Sequence, residues 1–307
     1  MTHVETAIAD GFHQAGCDVA LHVVDLASGA GVAIQADTPV VLASVFKILV
    51  ALEFYAQAEE GALDPASALD LDPAIYTAGP TGISAFEDPV RISARDLCRL
   101  MMSISDNTAT DALVTLVGLD RINARAERCG CGATLVESDL KTLFDGIAVD
   151  IGFPTYPELL KAQSGALGHE AQQRALDPAR IDACAALVPA RTSRSTPRDL
   201  TRLLAAIWAD TAGPPAACAS LRALMAQQVT GRLVRALPDG ATVAAKTGSL
   251  LGRVRNEAGV ITHADGRSFA VAVFTRAHER FARVAEIETA MAVGAASAIS
   301  ALRAEAP

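Results

Sequence analysis

Strand-like segments lie near the two ends of this 307-residue chain, and helical patterns fill the stretch between them. Alternating apolar and polar residues over 18–25 predict a strand, and 32–35 can return as its hairpin partner. Segments 243–246, 259–262 and 269–275 are strand-like as well. The sequence therefore predicts one antiparallel sheet built from both chain ends and flanked by helices, with an all-helical lobe inserted between them, an α/β (α+β sandwich) class.

The predicted sheet divides the chain into two lobes of a single catalytic domain covering 1–307. The α/β lobe is expected to comprise about 1–43 and 235–307, and the helical lobe about 44–234. Within the helical lobe, about 137–190 is expected to form an atypical active-site loop or insert, because it mixes glycine, proline and short apolar groups without a clear period.

Helical spacing and capping residues support this division. Ser93 has the sequence context of an N-cap, and Thr196 precedes a proline suited to the first helical position. The predicted helices cover 44–60, 93–102, 107–117, 120–128, a segment from 197 onward, and 282–302.

Charge and composition exclude several kinds of partner. A net charge of −9 repels phosphate backbones, so nucleic acid is not an expected partner. No signal-peptide pattern is visible at the start of the sequence, and its apolar runs look too short to span a bilayer. We therefore expect a cytoplasmic protein without a membrane partner, or an exported one if the sequence has been trimmed. We also expect a monomer that acts on a small molecule.

The six cysteines do not indicate a metal or redox site. Only Cys129 and Cys131 lie close in sequence, and the single residue between them is too short for a redox or zinc pair. Reduced, mostly buried thiols are therefore expected, with no metal and no cofactor.

A serine and a lysine lie three residues apart at the start of the predicted helix over 44–60. In Ser44-Val45-Phe46-Lys47 the two side chains share one helix face, so the amine can approach the hydroxyl. A serine hydroxyl needs an adjacent base to act as a nucleophile. The helix start also places backbone N–H groups near a developing oxyanion.

Two further motifs follow in order. Ser105-Asp106-Asn107 lies between two predicted helices, and Lys246-Thr247-Gly248-Ser249 ends a predicted strand. The order S-x-x-K, S-D-N, K-T-G resembles class A β-lactamases and the related penicillin-binding proteins. The resemblance covers about 18–302 apart from the middle stretch, and it implies the β-lactamase-like fold.

The resemblance also implies catalytic roles. Ser44 would attack the substrate carbonyl, Lys47 would accept or relay its proton, and Ser105 would shuttle a proton toward the leaving atom. Asn107 would hold Lys47 and the substrate amide, and Lys246 would supply positive charge. Two lysines near one pocket disfavour each other's charge, which lowers a lysine pKa toward that of a usable base.

Substrate-binding roles fall on the K-T-G strand and the strand after it. Thr247 would bind a substrate carboxylate, Gly248 would line the site, and the backbone N–H groups of Ser44 and Ser249 would form the oxyanion hole. Arg255 is either a ligand for an anionic substrate group or an ordinary surface arginine.

The family's deacylation motif is altered. Class A enzymes use a glutamate in an E-x-x-L-N loop, and the nearest match here is Glu137-Ser138-Asp139-Leu140-Lys141, with lysine in place of asparagine. Glu137 is the candidate base, and Lys141 is expected to pair with it or to occupy the place of the water. The insert after Lys141 is either a lid over the pocket or surface decoration.

Three functions are compatible with these motifs. The first is a serine hydrolase of the class A type that opens β-lactams or related amides and esters through an acyl-enzyme on Ser44. The second is a D-Ala-D-Ala-type peptidase, or a biosynthetic esterase or acyltransferase, because one fold serves several substrates. The third is a non-turnover protein that traps an acyl ligand.

Overall fold

The computed structural model describes residues 2–304, and its centre is a five-stranded antiparallel sheet in the order β2-β1-β9-β8-β7. Two pairs of short strands, β3 with β6 and β4 with β5, lie outside that sheet. The strands are β1 (Cys17–Asp25), β2 (Gly31–Ile34), β3 (Val40–Val41), β4 (Ala68–Leu71), β5 (Val90–Ser93), β6 (Arg194–Ser195), β7 (Thr242–Leu250), β8 (Val254–Thr262) and β9 (Ser268–Ala277).

The sheet joins the two chain ends as the sequence predicted. Cys17 pairs with Ala277 and Asp25 with Phe269, so β1 and β9 are aligned over their whole length. This confirms the α+β class and the antiparallel sheet. β7 is longer than the predicted segment 243–246, and it continues past the K-T-G motif to Leu250.

The helices are α1 (His3–Ala15), α2 (Lys47–Glu59), α3 (Ala94–Ser103), α4 (Asn107–Val117), α5 (Leu119–Arg128), α6 (Leu140–Ile151), α7 (Tyr156–Gln163), α8 (His169–Leu176), α9 (Pro178–Asp182), α10 (Pro197–Trp208), α11 (Pro215–Met225) and α12 (Val284–Ala304). The predicted N-caps Ser93 and Thr196 both accept the expected backbone N–H. Helices α1, α11 and α6 to α9 were not predicted. For α1 the signal was present, because Thr2 and Glu5 form a capping box.

The sheet separates two apolar cores. On one face, side chains of β1 and β9 such as Leu21, Val23 and Val271 pack with α1 and α12. On the other face, Ala258, Val260 and neighbouring residues pack against the helical lobe, chiefly α2, α10 and α11. Burial on both faces explains why β9 is an almost continuous apolar run and does not alternate.

The C-terminal helix corrects one expectation. By length and by its mean hydropathy of 1.2, α12 is apolar enough to cross a membrane, although no such run was expected. In this fold α12 packs on α1 and on the sheet, and buries Ile287, Met291 and Ile299 there. Its apolar character is thus explained by core packing.

The middle stretch forms a small helical subdomain. Helices α6 to α9 surround an apolar cluster of their own, which includes Ile147, Ile151 and Ile181. We call residues 140–187 the insert. Its cluster also includes four residues from outside it, namely Val41, Ala43, Leu250 and Val254.

Candidate active site

The nucleophile candidate lies in a tight turn that precedes α2. Ser44 belongs to a 3-10 turn over Ala43–Phe46, so the α-helix begins at Lys47 rather than at Ser44 as expected. Ala43 has a φ of +45°, which is unfavourable for a residue with a Cβ. The amide of Asn256 donates to the carbonyl oxygens of Val41 at 2.8 Å and Leu42 at 3.3 Å. These contacts tie the turn to the middle of the sheet.

Lys47 is fully buried at the start of α2. Its Nζ donates to the Ser105 carbonyl at 2.8 Å, to the Ser105 hydroxyl at 3.1 Å and to Asn107 Oδ1 at 3.1 Å. None of these three bonds reaches Ser44, so the expected approach of amine to hydroxyl is not a hydrogen bond in this structure. Burial, and then the charge of Lys246, lower the pKa of Lys47 well below its usual value. The negative charge of Asp111 acts in the opposite direction, because it stabilises the protonated amine.

Lys246 reaches the same hydroxyl from β7. Its Nζ donates to Ser105 Oγ at 3.2 Å and to the Thr247 carbonyl at 3.0 Å. Burial and then the charge of Arg232 lower the pKa of Lys246 to about 7, against the opposing effect of Glu257. One amine of the pair can therefore be neutral near pH 7.

The S-D-N loop is held in a specific conformation. Ser105 has a φ of +63°, and Asp106 caps α4 through the backbone N–H of Ala109. Asp106 also accepts a bond of 2.6 Å from the backbone N–H of Ile83. Gly79 lies so close that an added Cβ would be 2.9 Å from the Asn107 amide nitrogen. The proline- and glycine-rich stretch before α3 therefore packs on this loop and orients Ser105 and Asn107.

The K-T-G strand passes directly beside the nucleophile turn. A Cβ added to Gly248 would lie 3.0 Å from the Ser44 nitrogen and 3.0 Å from the Leu42 carbonyl oxygen. A larger residue at this position would require the backbone of the turn to shift by a few tenths of an ångström. The close approach brings Ser249 on β7 next to Ser44, as the expected pair of oxyanion donors requires.

An arginine that the sequence did not single out reaches the same strand. Arg232, which is largely buried, donates from Nη2 to the Ser249 hydroxyl at 2.7 Å and from Nη1 to the Gly248 carbonyl at 3.3 Å. Arg255, which the sequence left open as an anion ligand or an ordinary surface arginine, pairs with Glu288 at 2.8 Å. The position of the Arg232 side chain depends on contacts with β7, β8 and α12, so no local sequence pattern indicates its role.

Thr247, the expected carboxylate ligand of the K-T-G motif, is held by two side chains from the segment before β7. Its hydroxyl is 3.0 Å from the Thr230 hydroxyl and 3.2 Å from Gln228 Oε1, and its backbone N–H donates to the same oxygen at 2.6 Å. Thr230 and Gln228 were not predicted, and they fix the Thr247 rotamer at the edge of the site.

Glu137, the candidate deacylation base, is not among the hydrogen-bond partners of Lys47. The Glu137 carboxylate is half-exposed and lies 3.6 Å from Arg194 Nη1. Lys141, which was expected to pair with Glu137 or to take the place of the water, forms a 2.6 Å ion pair with Asp145. The expected Lys141–Glu137 pairing is therefore wrong.

A different carboxylate lies in this region. Asp111, one helical turn after Asn107, accepts the Thr77 hydroxyl at 2.6 Å and the backbone N–H groups of Leu140 at 2.8 Å and Lys141 at 2.9 Å. Burial raises the pKa of Asp111, although these three donors oppose the shift. Asp111 therefore joins the insert to the helix that carries Asn107.

The sheet, the helical lobe and the three motifs at their junction define a β-lactamase-like protein. The chain belongs to the β-lactamase enzyme family, whose model matches residues 3–302. It is 32% identical over 284 residues to the beta-lactamase regulatory protein BlaB of Streptomyces cacaoi, covering 87% of each chain.

Solved structures agree on the fold. A β-lactamase from Sphaerobacter thermophilus is 24% identical with a TM-score of 0.75, over 99% of this chain and 98% of that one. A β-lactamase from Chitinophaga pinensis is 20% identical with a TM-score of 0.75, over 98% and 100%. The structure titled PBP-A is 20% identical with a TM-score of 0.72, over 97% and 96%.

Proposed function

We propose that this protein is a serine acyl-transfer enzyme that opens β-lactams or related amides and esters through an acyl-enzyme on Ser44. The observation that carries this proposal is the chain of hydrogen bonds from Lys47 through the Ser105 hydroxyl to Lys246. Both lysines are fully buried, and their pKa values are lowered. A buried amine with a lowered pKa can take a proton from a serine.

Acylation follows from this arrangement. Ser44 Oγ attacks the carbonyl carbon, its proton moves to the neutral amine of Lys47, and the oxyanion is stabilised by the N–H groups of Ser44 and Ser249. The carbon–nitrogen or carbon–oxygen bond of the substrate then breaks. The Ser105 hydroxyl, 3.1 Å from Lys47, relays the proton to the leaving atom. Every proton is accounted for by side chains of the site.

The basic side chains along β7 favour a particular charge on the substrate. Lys246, Arg232 and the Thr247 hydroxyl meet along β7, where a substrate carboxylate would find both positive charge and hydrogen-bond donors. An anionic acyl substrate is therefore favoured over a neutral one.

Deacylation has less support than acylation. Release of the acyl group needs a base that activates water, and Glu137 lies against Arg194 and not against Lys47. This observation favours a second candidate function, a protein that keeps its acyl group for a long time and signals or sequesters a ligand. The relative from Streptomyces cacaoi, which is named a regulatory protein, also supports this second function.

Intact-mass spectrometry after exposure to benzylpenicillin tests both functions. We expect one penicilloyl group per chain, absent in Ser44→Ala and retained in Ser103→Ala, a serine on α3 outside the hydrogen-bond chain. Rapid loss of the adduct supports the hydrolase, and persistence over hours supports the acyl-trapping function. An unmodified wild-type protein, also inert to a fluorophosphonate, would exclude both.

A further inference from the structure

The insert contacts the chain on both sides of the expected oxyanion hole. Ala43 immediately precedes Ser44, and Leu250 immediately follows Ser249. Both apolar side chains belong to the buried cluster that α6 to α9 form. Each of the two backbone N–H groups that would bind the oxyanion is therefore one residue away from a side chain that packs in the insert's apolar cluster.

Polar contacts fasten the insert to the same part of the sheet. Asp182, at the end of α9, forms a two-point ion pair with Arg253 in the turn between β7 and β8; the Nε contact measures 2.8 Å. Arg276 on β9 donates to the Leu187 carbonyl at 2.9 Å. The turn that follows Leu250 is thus held from the insert side by charge as well as by packing.

The conformation of Ala43 requires such support. A positive φ at a residue with a Cβ persists only when the surrounding structure holds it. Ala43 is 7% exposed and lies in the insert's cluster together with Val41 from the strand before it. Loosening of the insert would let the turn relax and move the Ser44 N–H relative to β7.

We propose that the insert is a positioning subdomain, which holds the two oxyanion N–H donors at their working separation through Ala43 on one side and through Leu250 and Arg253 on the other. This inference rests on the proposed acylation of Ser44. It assigns a role to residues 140–187, whose sequence was compatible with a lid or with surface decoration. Because both contact points are buried in the insert's cluster and lie beside the hole, the insert supports the site instead of opening and closing over it.

The test uses Asp182→Asn in the full chain. This change removes the negative charge from the Asp182–Arg253 ion pair and keeps the size of the side chain. Asp177→Asn is the matched control, since Asp177 pairs with Arg180 inside the insert and asparagine can replace it as the N-cap of α9. The probes are acylation by a fluorescent penicillin and the affinity of phenylboronic acid, whose tetrahedral adduct on serine places an oxygen in the oxyanion hole.

We expect Asp182→Asn to slow acylation and weaken phenylboronic acid binding by about tenfold each, while Asp177→Asn stays within about twofold of the wild type.

Two results would overturn the inference. They are wild-type behaviour of Asp182→Asn, and equal losses in Asp182→Asn and Asp177→Asn. A wild-type protein that does not react with the penicillin would instead remove the proposed function itself, so the two failures are distinguishable.

Discussion

The Glu137 carboxylate lies 3.6 Å from the guanidinium of Arg194, and both side chains are partly exposed to solvent. The pairing directs the candidate base toward β6. The consequences for turnover can be measured.

Replacing Glu137 with glutamine should leave deacylation nearly unchanged. Glu137 pairs with Arg194 and is not among the hydrogen-bond partners of Lys47, so we expect a change of less than about threefold in the rate of adduct loss. Time-resolved intact-mass spectrometry of the penicilloyl protein measures that rate. A loss of turnover of a hundredfold or more in Glu137→Gln would make Glu137 the deacylation base after all.

Turnover with β-lactams should show a burst. The proposed acylation uses the Lys47–Ser105–Lys246 hydrogen-bond chain, whereas the candidate deacylation base Glu137 is paired with Arg194, so the second step should limit the rate. Stopped-flow mixing with a chromogenic cephalosporin should give one product per enzyme and then a slow steady state. A linear, rapid time course from the start contradicts this expectation.

Lys47→Arg should slow acylation by at least about 100-fold, because arginine stays protonated and cannot act as a base. The rate of labelling by a fluorescent penicillin measures the effect. Lys141→Arg is the matched control, since that lysine is exposed and paired with Asp145, and it should label normally. Fast labelling of Lys47→Arg would move the base role to another group.

Asp111→Asn should alter both stability and the pH dependence of acylation. The amide can accept from only one of the two backbone N–H groups at Leu140 and Lys141, so we expect a loss of about 1–3 kcal/mol in the free energy of unfolding. Removing the negative charge also lowers the pKa of Lys47, which shifts the acid limb of the acylation profile to lower pH. Asp139→Asn, which keeps the N-cap of α6, should not shift that limb.

Chemical denaturation at several pH values separates the two effects of Asp111→Asn. Unchanged stability would show that Asp111 does not hold the insert. An acid limb at the wild-type position would show that the Asp111 charge does not act on Lys47.

His22 should make the fold sensitive to acid. Its Nδ1 lies 2.6 Å from the Thr201 hydroxyl and its Nε2 lies 3.2 Å from Arg198 Nη1. Burial, and then the charge of Arg198, lower the pKa of His22 from 6.5 to about 4. The unfolded chain then binds the proton more readily, so stability present above pH 6.5 is lost as the pH falls toward 4, by about 3 kcal/mol at most.

Denaturant unfolding of His22→Gln against the wild type measures this loss. The variant should show a shallower fall in stability between pH 6.5 and pH 4, while His169→Gln, an exposed histidine on α8, should follow the wild type. Parallel pH curves for His22→Gln and the wild type would exclude the assignment.

Local sequence alone determined the elements that carry the motifs. Ser93 and Thr196 cap their helices through side chains that bond residues three positions away, and the apolar periods of α4 and α10 lie within one segment each. The S-D-N motif lies between α3 and α4, whereas S-x-x-K lies on the turn before α2 and K-T-G lies on β7. Contacts of short range are encoded in neighbouring residues, so the pattern was sufficient to predict them.

Tertiary structure decided which charged groups serve the site. Glu137 and Arg255 had suitable sequence positions, but each is paired elsewhere, with Arg194 and Glu288. Arg232 had no motif, and reaches Ser249 because β7, β8 and α12 converge around it. The direction of a long side chain depends on partners that are distant in sequence, and the role of a charge depends on its burial, so only the folded chain determines either.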